Sequence, residues 1–405
     1  MKGRYHMSDL KKTLMERISE EHIIEMTSNM VRIPSYSGIT NQETGVAKYV
    51  KSVFDANGIP CYLQEVADGR CNVIATLDSG KPGKTIMFNA HMDTVPPNGW
   101  ADALNPKIMD GKLYGRGTAD DKGELACIIE AMLALKATGA LEQGKVILTG
   151  VLDEEQNSIG TIDIVESGIA ADGAIVAEST HLKIATCQRG LEWLKFHFIG
   201  KTVHGGKQRE GINAIEKAMD FIFAMREELI PKVAARTHPM LTEATINYGV
   251  IHGGTQLSTV AGECDLLVDT RFLPDQKYED VLGEFQALLD KLASKDPQFK
   301  CEMSVCEESL MKEGYQHLSF ETDPDHPLVT TLQDVVGSVT GGDTKVFGVP
   351  YWSDGALLSR YSKIPTVVLG PGGGTAHTDH EHMPIDQLVP AALIYAVTAV
   401  EFCRS

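Results

Sequence analysis

The 405-residue sequence lacks the local patterns that mark several large classes of protein. It has no run of about 18 apolar residues and its N-terminus is polar, so we expect neither a membrane span nor a secretory signal. Its eight cysteines show neither zinc-finger nor redox spacing, so we expect reduced core thiols and a cytoplasmic location. No Gly-x-Ser-x-Gly elbow occurs, and no cysteine lies in a glycine-framed turn beside a histidine, which disfavours serine and cysteine nucleophiles.

Positive charge is also scarce, because 37 Lys and Arg residues face 55 Asp and Glu residues and leave a net charge of -18. This balance argues against nucleic acid or an anionic membrane surface as a partner. The length exceeds that of one usual core and predicts two or more domains. Residues 1–6 precede Met7-Ser-Asp-Leu, and the sequence leaves open whether they are native.

What the sequence does contain is an adjacent pair of carboxylates, Glu154 and Glu155, at the end of the apolar run Val-Ile-Leu-Thr-Gly-Val-Leu. A strand sends neighbouring side chains to opposite faces, so one acid is available to hold a cation while the other handles protons. A charged turn is the blander explanation of the same pair. The choice between them depends on what else the chain places nearby.

A second predicted strand, around residue 88, is apolar and ends in polar side chains. Its last residues include His91 and Asp93, which lie two residues apart and therefore face the same way. A metal-binding imidazole usually donates its second ring N–H to a carboxylate, which fixes its tautomer. We therefore predict His91 as a ligand and Asp93 as the group that orients it.

A glycine-rich turn at residues 113–123 presents Asp120 just before a helical apolar period. The blander interpretation is a helix N-cap, which fits either Asp120 or Asp121. Two further strands are predicted to end in Glu178 and, after a glycine loop, in His377. Ligands of open α/β sheets bind off the carboxyl ends of the strands, so we expect these side chains to converge.

Histidine nitrogens with carboxylate oxygens and no thiolate suit zinc, with cobalt or manganese as substitutes. Three carboxylates and two imidazoles exceed what one zinc ion needs, so we predict two ions that share a bridging carboxylate. Asp120 is the predicted bridge.

These motifs and their order resemble those of the M20 metallopeptidases, the group that includes acetylornithine deacetylase, succinyl-diaminopimelate desuccinylase, aminoacylase-1 and glutamate carboxypeptidase. The resemblance runs from about residue 23 to residue 402. The matching motifs are His-x-Asp, Gly-Arg-Gly-x-x-Asp-x-Lys-Gly, Asp-Glu-Glu, a later Glu and His-x-x-x-Glu.

The resemblance implies a role for each matching residue. Glu154 becomes the general base that takes a proton from the bridging water and passes it to the leaving amine. The implied metal ligands are Asp120 as the bridge, His91 and Glu178 on one ion, and Glu155 and His377 on the other. His380 and His382 are interpreted as surface or supporting residues, since only His377 stands four residues before Glu381.

Outside the metal ligands, the resemblance assigns His204 to a lid motif, where it reaches across a dimer to stabilise the oxyanion. Arg271 corresponds to an arginine that grips a substrate carboxylate, and a salt bridge with Asp269 is the equal alternative. Asn213 and Gly373 are further implied substrate contacts, with a structural turn as the alternative for the glycine loop. Ser258-Thr-Val-Ala departs from the family's Asn-Val-Val-Pro, so no asparagine contact is carried over there.

The predicted fold class is α/β: a zinc-peptidase-like catalytic domain with a mixed, mainly parallel sheet, and an inserted ferredoxin-like lid. Residues 1–187 and 310–405 form the predicted catalytic domain, and residues 188–309 form the lid and dimerisation domain. Helices are expected over residues 8–33 and 43–57. The lid is predicted to run strand 192–199, helix 212–225, strands 244–251 and 263–272, helix 278–292 and strand 299–307.

The predicted function is hydrolysis of the amide of a small N-acyl amino acid by a homodimer with two zinc ions per subunit. A metal-dependent dipeptidase or carboxypeptidase would use the same metals and base, and only the acyl pocket distinguishes it. A condensing enzyme or a relative without catalysis is the remaining alternative, and the latter is disfavoured because the base and all ligands are present.

Overall fold

The computed structural model describes residues 7–405, and residues 1–6, whose origin the sequence leaves open, lie outside them. The helices within that range are α1 (Met7–Met15), α2 (Glu20–Val31), α3 (Thr44–Ala56), α4 (Lys122–Thr138), α5 (Ile159–Glu166), α6 (Ala214–Ala224), α7 (Ile230–Ala234), α8 (Tyr278–Lys295), α9 (Pro327–Thr340), α10 (Gly355–Arg360) and α11 (Leu388–Cys403). The strands are β1 (Cys61–Ala67), β2 (Arg70–Asp78), β3 (Thr85–His91), β4 (Lys107–Met109), β5 (Lys112–Tyr114), β6 (Lys145–Val151), β7 (Gly173–Val176), β8 (Ala185–Gln188), β9 (Gly190–Ile199), β10 (Thr245–Gly253), β11 (Glu263–Phe272), β12 (Cys301–Val305), β13 (Phe320–Glu321), β14 (Phe347–Val349), β15 (Thr366–Val368) and β16 (His382–Pro384).

The chain divides into two compact units. The first runs to Cys187 and resumes over Glu321–Gly348 and Ser353–Ser405, and the second comprises Gln188–Phe320 and Val349–Trp352. The sequence predicted a return to the catalytic domain at residue 310. The second unit instead continues to Phe320, because Leu191 N–H donates to the carbonyl of His317 and the Ser319 hydroxyl donates to the carbonyl of Leu273.

The first unit is built on a mixed nine-stranded sheet of order β1-β2-β6-β3-β7-β15-β8-β13, with β14 beside β8. Its centre is parallel, since β3 pairs in parallel with both β6 and β7, and β15 pairs in parallel with β7. Strands β1, β2 and β6 pair antiparallel. This mixed sheet with a parallel centre confirms the predicted fold class and brings the carboxyl ends of four strands to one edge.

Two buried helices, α4 and α11, pack against each other in the first unit. Residues Ile385–Cys403, which include α11, have a mean hydropathy of 1.4 and would be long and apolar enough to cross a membrane by length and composition alone. However, 67% of the 18-residue stretch that has this hydropathy is buried inside the protein. Burial of this extent is what the core helix of a packed domain gives, so the apolar composition of α11 has an explanation within the fold.

The second unit contains a four-stranded antiparallel sheet of order β10-β11-β9-β12, with α6 and α8 in the order β9-α6-β10-β11-α8-β12. This order is that of the predicted ferredoxin-like unit. An aromatic cluster forms its core, in which Phe196 packs on Phe221 and Phe285 with ring centroids 4.7 and 5.6 Å apart.

The region of predicted helical periodicity, residues 8–33, contains two helices, α1 and α2. The chain leaves the helical path after α1 and starts again at Ser19, whose hydroxyl accepts the N–H of His22 and caps α2. Such a cap satisfies a backbone donor that the start of a helix would otherwise leave unpaired. The cysteines agree with the expectation of reduced thiols, as all eight are free.

Candidate metal centre

The parallel strands of the first unit deliver acidic and imidazole side chains to one edge. His91 is the last residue of β3, and Glu154 and Glu155 follow the end of β6 by three and four residues. Glu178 stands two residues after β7, and the chain leaving β15 leads to His377. These side chains therefore lie at the carboxyl ends of the strands, where ligands of such sheets bind.

Asp120 lies between the two histidines. Its Oδ1 is 2.8 Å from Nε2 of His91, and its Oδ2 is 3.2 Å from Nε2 of His377. Burial acts to raise the pKa of Asp120, but hydrogen bonds from His377 and His91 outweigh burial and hold this pKa below its ordinary value. Each oxygen of this carboxylate therefore faces a different imidazole.

His377 also contacts Glu155, with 3.0 Å between its Nε2 and the nearest carboxylate oxygens. Hydrogen bonds with Asp120 and Glu155 raise the pKa of His377 to about 10. The side chain of His377 is 54% exposed, whereas His91 is buried. One imidazole of the cluster is thus enclosed by protein and the other lies at the open side.

The prediction that a strand sends Glu154 and Glu155 to opposite faces is wrong. The strand ends at Val151, so Glu154 and Glu155 lie in a turn rather than on a pleat. Candidate ligand atoms of His91, Glu154 and Glu178 lie within 4.8 Å of one another, and so do those of His91, Asp120 and Glu155. Two overlapping groups share His91, one with each glutamate of the pair.

Burial raises the pKa of Glu154 well above its ordinary value, and the nearby charge of Glu178 adds to this effect while His91 opposes it. Burial likewise raises the pKa of Glu178, with Asp120 adding to it. A carboxyl with a raised pKa takes up a proton more readily than one in water, which suits a group that must act as a base near neutral pH.

Asp93 makes more contacts than the sequence predicted. Its Oδ1 is 3.3 Å from Nδ1 of His91, and its backbone carbonyl is 3.1 Å from the same nitrogen. Its carboxylate also accepts the backbone N–H groups of Glu154, at 3.1 Å, and of Glu155, at 2.9 Å. One buried carboxylate therefore orients the imidazole and fixes the turn that carries both glutamates.

Asp121, rather than Asp120, occupies the N-cap position of α4, but its side chain makes no capping hydrogen bond. Its Oδ2 instead accepts the backbone N–H of His91 at 3.0 Å. The peptide bond between Asp120 and Asp121 is cis. Of the two residues that the sequence offered as N-cap, Asp121 occupies that position. Asp120 precedes the helix, and its side chain faces the histidines.

Other buried polar residues near these ligands were not predicted. Lys122 donates to the carbonyls of Met30 and Ile33, each at 3.0 Å, and burial lowers its pKa to about 7. Asp354 accepts the Thr161 hydroxyl at 2.6 Å, and burial raises its pKa to about 6. Of these two residues, only Lys122 lies in one of the motifs found in the sequence. None of the three hydrogen bonds can be read from the sequence.

The predicted substrate contacts have partners of their own. In the second unit, Arg271 forms two hydrogen bonds with Asp269, at 2.8 and 2.9 Å, which is the salt bridge of the alternative interpretation. Asn213 caps α6 by accepting the N–H of Ile215 at 3.0 Å, and the exposed His204 accepts the N–H of Gly206 at 3.1 Å.

In the first unit, Gly373 has a φ of 154°, and a Cβ there would lie 2.5 Å from Nε2 of His181. This close approach explains why a glycine occupies the position without any contact to a substrate. His380 contacts Asp379 at 3.0 Å, and the ring of His382 lies 4.9 Å from that of Tyr114. None of His377, His380 and His382 belongs to the two groups of candidate metal ligands, but His377 contacts Asp120 and Glu155 within them.

Comparison with known proteins gives the class to which this fold and cluster belong. A family model described as Peptidase family M20/M25/M40 matches residues 87–401. The chain is 25% identical to a probable succinyl-diaminopimelate desuccinylase of Staphylococcus aureus, over 96% of this chain and 100% of the relative. It is 26% identical to an N-formyl-4-amino-5-aminomethyl-2-methylpyrimidine deformylase of Halalkalibacterium halodurans, over 95% of each chain.

Among solved structures, a tripeptidase of Staphylococcus aureus superposes with a TM-score of 0.78 at 23% identity, covering 95% of this chain and 99% of that one. The protein is therefore a hydrolase of amide or peptide bonds whose class uses divalent metal ions. It belongs to the M20 peptidase family, as the sequence motifs indicated.

Proposed function

We propose that the protein is a dinuclear zinc amidohydrolase that cleaves the amide bond of a small N-acyl amino acid. The observation that carries this proposal is the position of Asp120, whose two carboxylate oxygens face Nε2 of His91 and Nε2 of His377. A carboxylate in this position can offer one oxygen to each of two adjacent ions, as a two-metal site needs a shared ligand region.

The donor set consists of imidazole nitrogen and carboxylate oxygen, which suits zinc. Ligand atoms of His91, Asp120 and Glu155 lie within 4.8 Å of one another, and Nε2 of His377 lies 3.2 Å from Asp120 and 3.0 Å from Glu155. Cobalt or manganese would suit the same donors. The proposed ligands are Asp120 as the bridge, His91 and Glu178 on one ion, and Glu155 and His377 on the other. The contact of His91 Nδ1 with Asp93 supports this assignment, since it leaves Nε2 as the ligand atom.

When bound, the ions would supply Lewis acidity, polarising the scissile carbonyl and making a water molecule more acidic. Glu154 then takes the proton from that water and delivers it to the leaving amine. Its raised pKa and its position beside His91 and Glu178 support this role. Asp93 holds His91 and the backbone of Glu154 in place throughout.

The second unit, residues 188–309 in the sequence prediction, is proposed as a lid that supplies His204 to the oxyanion. Arg271 would grip the substrate carboxylate, either alongside Asp269 or after leaving it. Asn213 and Gly373 are proposed substrate contacts on the same basis of family resemblance.

We also propose that the chain forms a homodimer through the second unit. Strand β10 is an edge strand of its sheet and is exposed over most of its length, including Val250 and Ile251 at 39% and 49% exposure. On α6, Met219 and Phe223 are 47% and 57% exposed. An unpaired strand edge and exposed apolar side chains favour a protein partner over solvent. The free thiols are compatible with the proposed cytoplasmic location.

An N-acyl substrate is favoured over a peptide by the names of the two relatives above, which both denote removal of an acyl group from nitrogen. A dipeptidase or carboxypeptidase remains the second candidate, and the structural similarity to a tripeptidase is the observation that favours it.

The test is hydrolysis of a mixed panel of N-formyl, N-acetyl, N-succinyl and longer N-acyl amino acids with dipeptides and tripeptides, read by mass spectrometry. The protein is assayed metal-stripped and after zinc or cobalt restoration, with the Glu154→Ala variant as the control. Metal-restored cleavage of acyl amino acids supports the proposal. Cleavage confined to peptides assigns the second candidate, and no cleavage despite two bound ions contradicts both and favours a condensing or non-catalytic relative.

A further inference from the structure

Glu381 is a buried carboxylate outside the proposed ligand set that contacts several consecutive residues of the loop leading to Asp120. Its Oε1 accepts the backbone N–H groups of Gly117, at 2.9 Å, and Ala119, at 3.0 Å. Its Oε2 accepts Nη1 of Arg116 at 2.5 Å. Its backbone carbonyl accepts the N–H of Gly115 at 3.2 Å. The side chains of Glu381 and Arg116 are 0% and 1% exposed.

These contacts join the bases of two loops that meet again at their tips. One loop runs from Gly115 to Asp120, and the other contains His377, four residues before Glu381. The short strands β5 and β16 pair beside the junction, with Tyr114 opposite His382. At the tips, Nε2 of His377 lies 3.2 Å from Oδ2 of Asp120. Glu381 thus fixes the register of the loop carrying Asp120 against the loop carrying His377.

The local conformation leaves little freedom to replace this carboxylate. Gly117 has a φ of 87°, and a Cβ there would lie 2.9 Å from Thr94 and 3.0 Å from Lys122, so the loop follows one tight path. That path points the N–H groups of Gly117 and Ala119 at a single oxygen. A carboxylate offers acceptors on both oxygens, and a glutamine would place an N–H₂ group against either the guanidinium or the two N–H groups.

We propose that Glu381 is a positioning residue for the metal centre: its carboxylate joins the loop of Asp120 to the loop of His377, so that both side chains reach the same ion. This inference rests on the proposed function, because it takes Asp120 and His377 as ligands. Groups that hold metal ligands in place typically contribute about 10–100-fold in metal affinity. We expect a loss of that size when Glu381 is changed.

The experiment compares Co²⁺ binding to the metal-stripped full-length protein, its Glu381→Gln and Arg116→Lys variants, and a control, Glu284→Gln. Glu284 is a suitable control because it pairs with Arg236 in the second unit, 3.0 Å from Nη1, and is not among the proposed ligands. Affinity and stoichiometry are measured by calorimetry, and coordination geometry by the visible absorption of bound Co²⁺. Melting temperatures of the metal-free proteins are recorded alongside.

We expect Glu381→Gln to bind one of two Co²⁺ ions about 10–100-fold more weakly, with a changed absorption spectrum. Arg116→Lys keeps a positive charge beside Glu381 and leaves its bonds to Gly117 and Ala119 in place, so we expect a smaller loss of Co²⁺ affinity. This variant still tests the proposal if Glu381→Gln does not fold. Glu284→Gln should change only the melting temperature. Wild-type affinity and spectrum in Glu381→Gln would overturn the positioning role, even if its melting temperature falls, and if that variant does not fold, the same result in Arg116→Lys would overturn it.

The same titration separates this inference from the proposed function. If the wild-type protein fails to bind two Co²⁺ ions, the proposed dinuclear centre is wrong and Glu381 has no such centre to position. If the wild-type protein binds two ions and Glu381→Gln binds them equally well, only the role of Glu381 is refuted.

Discussion

Replacing Asp93 by asparagine is the substitution whose effect follows most directly from the geometry. The carboxylate accepts the N–H groups of Glu154 at 3.1 Å and Glu155 at 2.9 Å, one on each oxygen. An asparagine has a single acceptor oxygen, so one of these bonds is lost and the amide N–H₂ group faces a backbone donor. We therefore expect the turn that carries both glutamates to shift.

The size of the effect can be estimated from the lost bond. A hydrogen bond to a charged group contributes about 1.5–3 kcal/mol. At about 1.4 kcal/mol per tenfold change, this corresponds to a loss in metal affinity of about 10–100-fold. The imidazole of His91 keeps its contact with the Asp93 backbone carbonyl at 3.1 Å, so binding should be weakened and not abolished.

Co²⁺ affinity of the metal-stripped Asp93→Asn variant, measured by calorimetry, is the assay. Asp172→Asn is the matched control, because Asp172 also accepts a backbone N–H, from Thr85 at 2.7 Å, but does so at the start of β3 rather than at its end. The control should bind Co²⁺ as the wild-type protein does. An Asp93→Asn affinity within about threefold of wild type would refute the reasoning, since it is smaller than the tenfold lower bound expected.

Three further outcomes are expected. Glu154→Ala should keep both metal ions, by elemental analysis, and lose about 10²–10⁴-fold in kcat, so near-normal turnover would refute its role as the base. In the metal-free protein, Asp120 and Glu155 raise the pKa of His377 from 6.5 to about 10, so their stabilising effect is full below pH 6.5 and is lost as pH rises through 10. The melting temperature should fall over that window in the wild-type protein and less in His377→Gln, and equal slopes would contradict the pairing. Phe223→Asp should convert a dimer to a monomer by light scattering, whereas an unchanged dimer would exclude α6 from the interface.

The convergence of the site was predictable because it depends on strand direction. His91 ends one strand and Glu178 follows another, and both features can be read from apolar runs that stop at an acid or a histidine. Parallel pairing then brings those ends to one edge. For His91 and Glu178, strand direction alone was therefore enough to expect both side chains at one edge.

The supporting contacts were not predictable in the same way. Asp121 accepts the N–H of His91, and Glu381 accepts those of Gly117 and Ala119. Every residue except proline carries a backbone N–H, so a carboxylate that binds one leaves no pattern in the partner sequence. The role of Arg271 was left open for a related reason, since a guanidinium suits Asp269 and a substrate carboxylate equally well.

The break between α1 and α2 shows a limit of helical periodicity. Helical periodicity fills residues 8–33, yet Ser19 caps a new helix within that range. Apolar residues on both sides face the same core, including Leu14 and Ile23, so the period continues across the break. Periodicity reports the buried face, and the cap decides where a helix starts.

The central claim is that two ions share Asp120, and anomalous X-ray scattering from zinc-loaded crystals tests it most directly. We expect two peaks about 3.5–4 Å apart. One should lie among His91, Asp120 and Glu178, and the other among Asp120, Glu155 and His377. A single peak, or two peaks without Asp120 between them, would contradict the claim.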